Sequence, residues 1–182
     1  MKCVGKVFKI KKYIGTEKVS FKVENYLIWF KGILGSSVLS LNKSGKFFNS
    51  VHNVNDYSFF FRCTQNVYKT LVSLFMQKLL GVSMGFLLCM ELKGRGFHVF
   101  VKNNKLFFNL GRSHAIFFDI PSSVYVRCVQ KKYIYFYSND LCLIGNLCYK
   151  VRHLRKVNPY KIKGILYMNE RIISKVGKVY QK

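Results

Sequence analysis

Pro159, Tyr160, Lys161, Lys163 and Gly164 stand within one short stretch, "NPYKIKGILYMNE", Asn158 to Glu170. These residue types suit one chemistry. The proline ring fixes φ and so directs the chain. A tyrosine ring stacks on a base or sugar, and a glycine lets backbone approach closely. Lysines neutralise phosphates, chiefly through counterion release, so such binding falls steeply with salt. Arg152, Arg155 and Lys156 lead into the stretch, and Lys175 and Lys178 follow it. Any one of these lysines alone reads as a solvated side chain. The whole run from Lys150 to Lys182 holds a single acid, Glu170, and reads as a polyanion-binding surface.

Other places are less decisive. "KGRGF", Lys93 to Phe97, is basic and glycine-rich but lacks the spacing of a phosphate-binding P-loop. It reads either as a bend in a strand or as a bend packed against RNA through Lys93 and Arg95. His114, in "RSHA" with Ser113, reads as a hydrogen-bond partner of backbone or phosphate before it reads as a catalyst. The acids are scattered and no histidine stands in an H-E-x-x-H pattern. Cys3, Cys63, Cys89, Cys128, Cys142 and Cys148 show no C-x-x-C spacing, so no zinc site is expected and small buried thiols are. The reading therefore excludes an enzyme, a cofactor, a metal and a small-molecule substrate.

The chain has 182 residues, 31 Lys+Arg against 7 Asp+Glu, and a net charge of +24. Half of it is hydrophobic, enough for a packed core. A charge that large opposes compaction unless a polyanion neutralises it. The most apolar run, "LLGVSMGFLLCM" from Leu79 to Met90, is short of the ~20 residues a membrane span needs. It reads as a helix end, a turn and a strand start. The opening "MKCVGKVFKIKKY" carries no secretory signal, lacks the serine and arginine of a transit peptide, and runs into strand-like sequence at Val19.

The elements that position these residues read as an α+β fold of two similar domains, 1–82 and 83–182. Each is expected to be a small antiparallel sheet with a helix packed on one face, an internal duplication. In the first, Val19–Gly32 is a hairpin about Glu24-Asn25, Ser36–Asn42 and Tyr57–Cys63 are strands, and a helix runs from about Asn66 to Leu80. Val67, Leu71, Leu74, Phe75 and Lys78 share its face, and Gly81 suits the position after its end. In the second, Gly96–Gly111 is a hairpin about Asn103-Asn104. "AIFFDIP", "VYVRCVQ" and "KYIYFYS" are strands. A helix capped by Asn139 or Asp140 buries Ile144, Leu147, Cys148, Val151 and Leu154, turns Arg152 and Arg155 outward, and stops at Pro159.

Several stretches together resemble the bacterial-type large-subunit ribosomal protein L-six family. "NPYKIKGILYMNERIISKVGK" is similar to its C-terminal signature at Pro159, Tyr160, Lys161, Lys163, Gly164, Ile165, Tyr167 and Glu170, and in the Lys175, Gly177, Lys178 ending. "LGRSHAIFFDIPSSVYV" resembles its L-G-[FY]-S-H-P stretch at Gly111, Ser113, His114 and Pro121. "LIGNLCYKVRHLRK" resembles its basic helix at Gly145, Arg152 and Arg155. The chain departs from the family at Val157 and Asn158 (proline and glutamate), Ile162 (glycine), Leu166 (arginine) and Ala115 (proline). The resemblance implies two duplicated domains and a structural role in the large ribosomal subunit. It implies binding to large-subunit rRNA near the sarcin–ricin loop and the translation-factor site, with neighbouring large-subunit proteins as further partners. The implied rRNA-binding residues are Lys93, Arg95, Ser113, His114, Arg152, Arg155, Lys156, Tyr160, Lys161, Lys163, Gly164, Lys175 and Lys178. Residues with A/T-rich codons abound, which points to a ribosome in the mitochondrial matrix, with a plastid or a bacterial cytoplasm as alternatives. The competing reading is a peripheral membrane protein that sets its basic face on anionic lipid.

Overall fold

Period-two alternation generates the strands. Along Leu27–Gly32 exposed and buried residues alternate, with Ile28 and Phe30 turned inward. Along Tyr133–Ser138 half-buried and buried residues alternate, with Ile134, Phe136 and Ser138 inward. The computed structural model describes residues 4–11, 19–24, 27–40, 46–50, 56–63 and 65–177. The chain divides into two units, one of 1–86 with 139–141 and one of 87–138 with 142–182.

The first unit holds β1 (Val4–Lys11), β2 (Ser20–Glu24), β3 (Leu27–Gly32), β4 (Gly35–Ser40), β5 (Lys46–Ser50), β6 (Asp56–Cys63) and α1 (Gln65–Ser83). Its strands form two antiparallel sheets, ordered β1-β6-β5 and β2-β3-β4. Phe75, Leu79 and Val82 of α1 close on Val19, Ile28, Phe30 and Leu39. The Phe30 and Phe75 rings meet edge to face at 5.0 Å. Fully burying each such ring contributes about 1.5–3 kcal/mol.

The second unit continues with β7 (Phe86–Lys93), β8 (His98–Lys102), β9 (Lys105–Asn109), β10 (Ile116–Asp119), β11 (Tyr125–Val129), β12 (Tyr133–Ser138), α2 (Leu141–Leu154) and β13 (Gly164–Tyr167). Its sheets are ordered β10-β9-β8 and β11-β12-β7-β13. Met90, Leu92, Val99, Leu106, Phe108, Ile134, Phe136, Ile144, Cys148, Val151 and Ile165 form its interior. The β8–β9 turn uses Asn103 and Asn104 at φ 49° and 57°, as the hairpin reading expects.

The architecture is α+β, and the same plan runs twice. The β2-β3-β4 meander is matched by β8-β9-β10, and β1-β6-β5 by β7-β12-β11. Each run of strands then ends in a helix. The expectation of one small sheet per domain is refined to two, because each meander pairs only within itself among the described residues. β13 is the addition, with no counterpart described in the first unit.

Three local expectations are corrected. β1 and β5 were not anticipated, and β1 begins well ahead of Val19. Leu74 is 39% exposed, so the buried stripe of α1 runs through Phe75, Leu79 and Val82 instead. Gly81 lies inside α1, not beyond it. A Cβ there would run into the Asn139 carbonyl, so the glycine serves a close backbone approach. Gly85 supplies the positive φ of 76° that leads out of the helix, its amide donating to the Leu80 carbonyl at 3.1 Å.

Candidate nucleic-acid interface

α2 ends at Leu154, five residues before Pro159, so the proline does not stop it. What stops it is packing. The Arg155 carbonyl accepts from the Ile165 amide at 3.1 Å, which draws the chain off the helix and onto β13. Gly164 makes this possible. Its φ is +152°, and a Cβ there would lie 2.7 Å from the Val157 Cα and 3.0 Å from the Arg155 and Lys156 carbonyl oxygens. The close approach read from this glycine is therefore to the chain's own backbone.

The intervening loop is tightly closed. Asn158 and Lys163 form an isolated bridge, with the Asn158 amide donating to the Lys163 carbonyl at 3.0 Å. The Ile162 amide donates to the Asn158 carbonyl at 2.8 Å, and the Tyr160 amide to the Asn158 side-chain oxygen at 2.9 Å. Ile162 sits at φ 49°, a region costly for a β-branched residue. Within this frame Lys156, Lys161 and Lys163 point to solvent and Tyr160 is 57% exposed.

Two further segments converge on the same end of α2. β13 pairs with β7 so that Gly164 stands opposite Lys93. Beyond Lys93, the bend at Gly94 and Gly96 turns Phe97 inward, and its ring lies so close to Gly94 that a Cβ there would sit 2.7 Å away. Gly111 meets the same ring, at 3.2 Å for a Cβ, and the Arg155 guanidinium lies 6.0 Å over it. Arg112 donates to the Leu154 carbonyl at 3.0 Å, a cation placed on the negative end of the helix dipole. Segments 93–97, 111–114 and 155–164 thus meet around Phe97.

The tail beyond β13 is anchored as well. The Arg152 guanidinium donates to Glu170 and lies 5.4 Å over the Tyr167 ring. The other Glu170 oxygen accepts from the Tyr167 amide at 3.1 Å. Burial pushes the Tyr167 phenol up, with Cys148 and Glu170 acting the same way and Arg152 against. The Lys175 amide donates to the Pro159 carbonyl at 3.1 Å. Between helix end and tail runs an open groove of about 610 Å³, lined by Arg152, His153, Lys156, Val157, Pro159, Glu170, Arg171, Ile172 and Ile173. Cations beside apolar walls suit a sugar–phosphate chain.

No family model matches the chain. Individual relatives do. It is 34% identical over 164 residues to large ribosomal subunit protein uL6 of Mycoplasmoides gallisepticum, a match covering 88% of this chain and 89% of the relative. The chain belongs to the uL6 family. It is also 40% identical over 117 residues to large ribosomal subunit protein uL6c of Phaeodactylum tricornutum, over 64% of each. To uL6 of Mycoplasma capricolum it is 38% identical over 119 residues, 65% of this chain and 66% of the relative. The chain spans just under two thirds of the length of these last two relatives.

In this uL6 family member the residues singled out from sequence fall into three groups. Lys93, Arg95, Ser113, His114, Arg155, Lys156, Tyr160, Lys161, Lys163 and Lys175 are exposed. Lys93 also faces Glu91 at 3.5 Å, and Ser113 lies 3.3 Å from His114 Nδ1. Arg152 and Gly164 have structural roles: Arg152 is half-buried on Glu170 and Tyr167, not turned outward as expected, and Gly164 is buried. Lys178 lies outside the described residues. Sequence reasoning missed Arg112, though it stands inside the quoted "LGRSH". A cation directly after the glycine that follows a strand was the available signal.

Proposed function

We propose that the chain is a structural constituent of the large ribosomal subunit that binds large-subunit rRNA through the exposed cations around the C-terminal end of α2. It is not an enzyme, since its relatives are ribosomal proteins by name. The observation that carries the reading is the meeting of segments 93–97, 111–114 and 155–164 around Phe97, segments on which Arg95, Arg155, Tyr160, Lys161 and Lys163 are all exposed. Exposed cations on neighbouring segments neutralise phosphates while a tyrosine stacks. The family resemblance adds the finer location, near the sarcin–ricin loop and the translation-factor site. Ile173 and Val176, each 87% exposed, offer apolar contact to neighbouring large-subunit proteins. The ribosome we infer is that of a mitochondrion, a reading supported by the A/T-biased composition, with a plastid or a bacterial cytoplasm as the alternative outcomes.

Lipid is the less favoured polyanion. The cations lie on irregular chain and not along one face of an amphipathic helix. Among the described residues, no helix is long and apolar enough to cross a membrane.

The test is binding of in vitro transcribed large-subunit rRNA by the whole chain and by an Arg155→Gln, Lys161→Gln, Lys163→Gln variant. Loss of affinity with an unchanged circular dichroism spectrum is expected. Full affinity in the folded variant removes the assignment of the site. Sedimentation of the tagged chain with large subunits, through moderate salt, tests the assembly itself.

A further inference from the structure

The second unit carries another surface that the C-terminal segment does not use. On the sheet face opposite Ile134 and Phe136, β11 and β12 set Tyr125 against Tyr137, Arg127 against Tyr135 and Val129 against Tyr133. Leu87 of β7 borders them. Tyr125 is 67% exposed and Leu87 61%. Together they line an open groove of about 530 Å³.

The composition of this face selects its occupant. β12 presents Tyr133, Tyr135 and Tyr137 at successive alternate positions, and Tyr125 of β11 stands opposite the last of them, so four rings share one face. Arg127 stands in the middle of the rings and makes no ion pair among the described residues. Lys131 and Lys132 follow at the β11–β12 turn, where Gln130 and Lys131 take φ 51° and 57°. The nearby acid, Glu91, is held by Lys93. Residues two apart on a strand are separated by about 6.6–6.8 Å. That spacing is close to twice the ~3.4 Å rise of stacked bases, so one flat base fits between two such rings. An unpaired cation among π faces, with Leu87 and Val129 at the margin, matches unpaired nucleotides better than it matches a protein core.

We propose that this tyrosine face is a second RNA-binding surface, one that stacks unpaired nucleobases on Tyr125, Tyr135 and Tyr137 while Arg127 engages the adjoining phosphate. The proposal rests on the ribosomal reading for the class of polymer, but on different residues for the site.

The experiment measures binding of the full chain to a short fluorescent oligouridine and, separately, to a double-stranded RNA. A Tyr125→Ala, Arg127→Gln variant is expected to lose about tenfold or more in oligouridine affinity, as removal of a stacking ring does, with duplex affinity unchanged. Tyr125→Phe keeps oligouridine binding, since the ring remains. Because Tyr125 is largely exposed, circular dichroism is expected to show both variants folded. On the unaltered chain, photocrosslinking with 4-thiouridine-substituted oligomer is expected in the peptide spanning residues 125–137. Equal oligouridine affinity in the double variant, or crosslinks confined to residues beyond 150, overturns the proposal. So does loss of binding to a purified large-subunit protein with oligouridine affinity intact, which assigns the face to a protein. The Arg155, Lys161, Lys163 variant serves as the separate control: if it keeps duplex affinity while the tyrosine variant loses oligouridine, the C-terminal site fails and this one stands.

Discussion

Arg152 on α2 and Glu170, 18 residues further on, bind side chain to side chain, and Glu170 accepts the Tyr167 amide with its second oxygen. One carboxylate thereby holds the helix, the end of β13 and the start of the tail. Glu170→Ala leaves a half-buried guanidinium without its carboxylate. It is expected to lower stability by about 1–2 kcal/mol, the value moderated by the exposure of Arg152. Urea denaturation measures this, and amide exchange at 167–170 should quicken with it. An unchanged midpoint means the carboxylate does not anchor the tail.

Ile162 carries a milder prediction. It occupies φ 49° and is 37% exposed, so a glycine there relieves backbone strain but gives up the covered part of the side chain. Ile162→Gly is expected to shift stability by no more than about 1 kcal/mol, the relieved left-handed cost of an L side chain offsetting the lost burial and the entropy a glycine adds to the unfolded chain. A loss well above that in urea denaturation would show that the positive φ carries no strain here.

Gly164 tolerates no such freedom. At Gly164→Ala the new methyl meets the Val157 Cα at 2.7 Å and carbonyl oxygens at 3.0 Å, on a backbone at φ +152°. The expected loss is at least about 2 kcal/mol, because backbone on both sides must shift. The same variant displaces Lys163 and Arg155, so rRNA affinity falls together with thermal stability. Stability retained within experimental error would contradict the packing described at the helix end.

Salt reports on the cations individually. Removing one lysine that touches a phosphate, Lys161→Gln for example, is expected to reduce the slope of log affinity against log salt by about 0.7–0.9. Arg152→Gln should leave the slope nearly unchanged and act on stability, since its guanidinium is already engaged. Filter binding over a salt series distinguishes the two, and an equal slope change for both residues would put Arg152 at the RNA.

The thiols supply a pH prediction. Burial pushes Cys128 up to about 11, and burial followed by Cys89 pushes Cys148 up to about 12. A thiol whose folded value is raised favours the native state while it is protonated. That contribution is complete below the ordinary value of 9.0 and is lost as pH climbs toward 11–12. Stability should therefore decline above about pH 9, and less so in Cys148→Ala. At pH 8 iodoacetamide should modify, among the four described thiols, exposed Cys142 first and Cys148 last, as read by peptide mass spectrometry.

The α+β class, the strand pairs of both hairpins and the buried stripe of α2 were legible because alternation and helical spacing are local. Asn103-Asn104 announced its turn for the same reason. The first hairpin was expected to turn at Glu24-Asn25, but Glu24 pairs with Leu27 as the end of β2 and Asn25 lies outside the described residues. The readings that failed depended on what lies across space. Gly81 and Pro159 both carry local signals for a helix end. Gly81 is spent instead on the Asn139 backbone, and α2 ends earlier because β13 draws Arg155 away. Arg152 was read as a surface cation, since nothing in its own stretch reveals Glu170 folded back against it. Phe97, Gly111 and Arg155 are far apart along the chain, and only the fold makes them one site.

β13 closes the β7 side of its sheet, with Gly164–Tyr167 satisfying the edge from Lys93 to Met90. The segment that holds the proposed phosphate contacts is thus also an edge guard. A copy clipped after α2 loses those proposed contacts and, at the same cut, bares a strand ready to pair with another chain. Damage and stickiness arrive together, so trimmed protein is expected to leave the soluble pool, and intact protein is the form left for assembly.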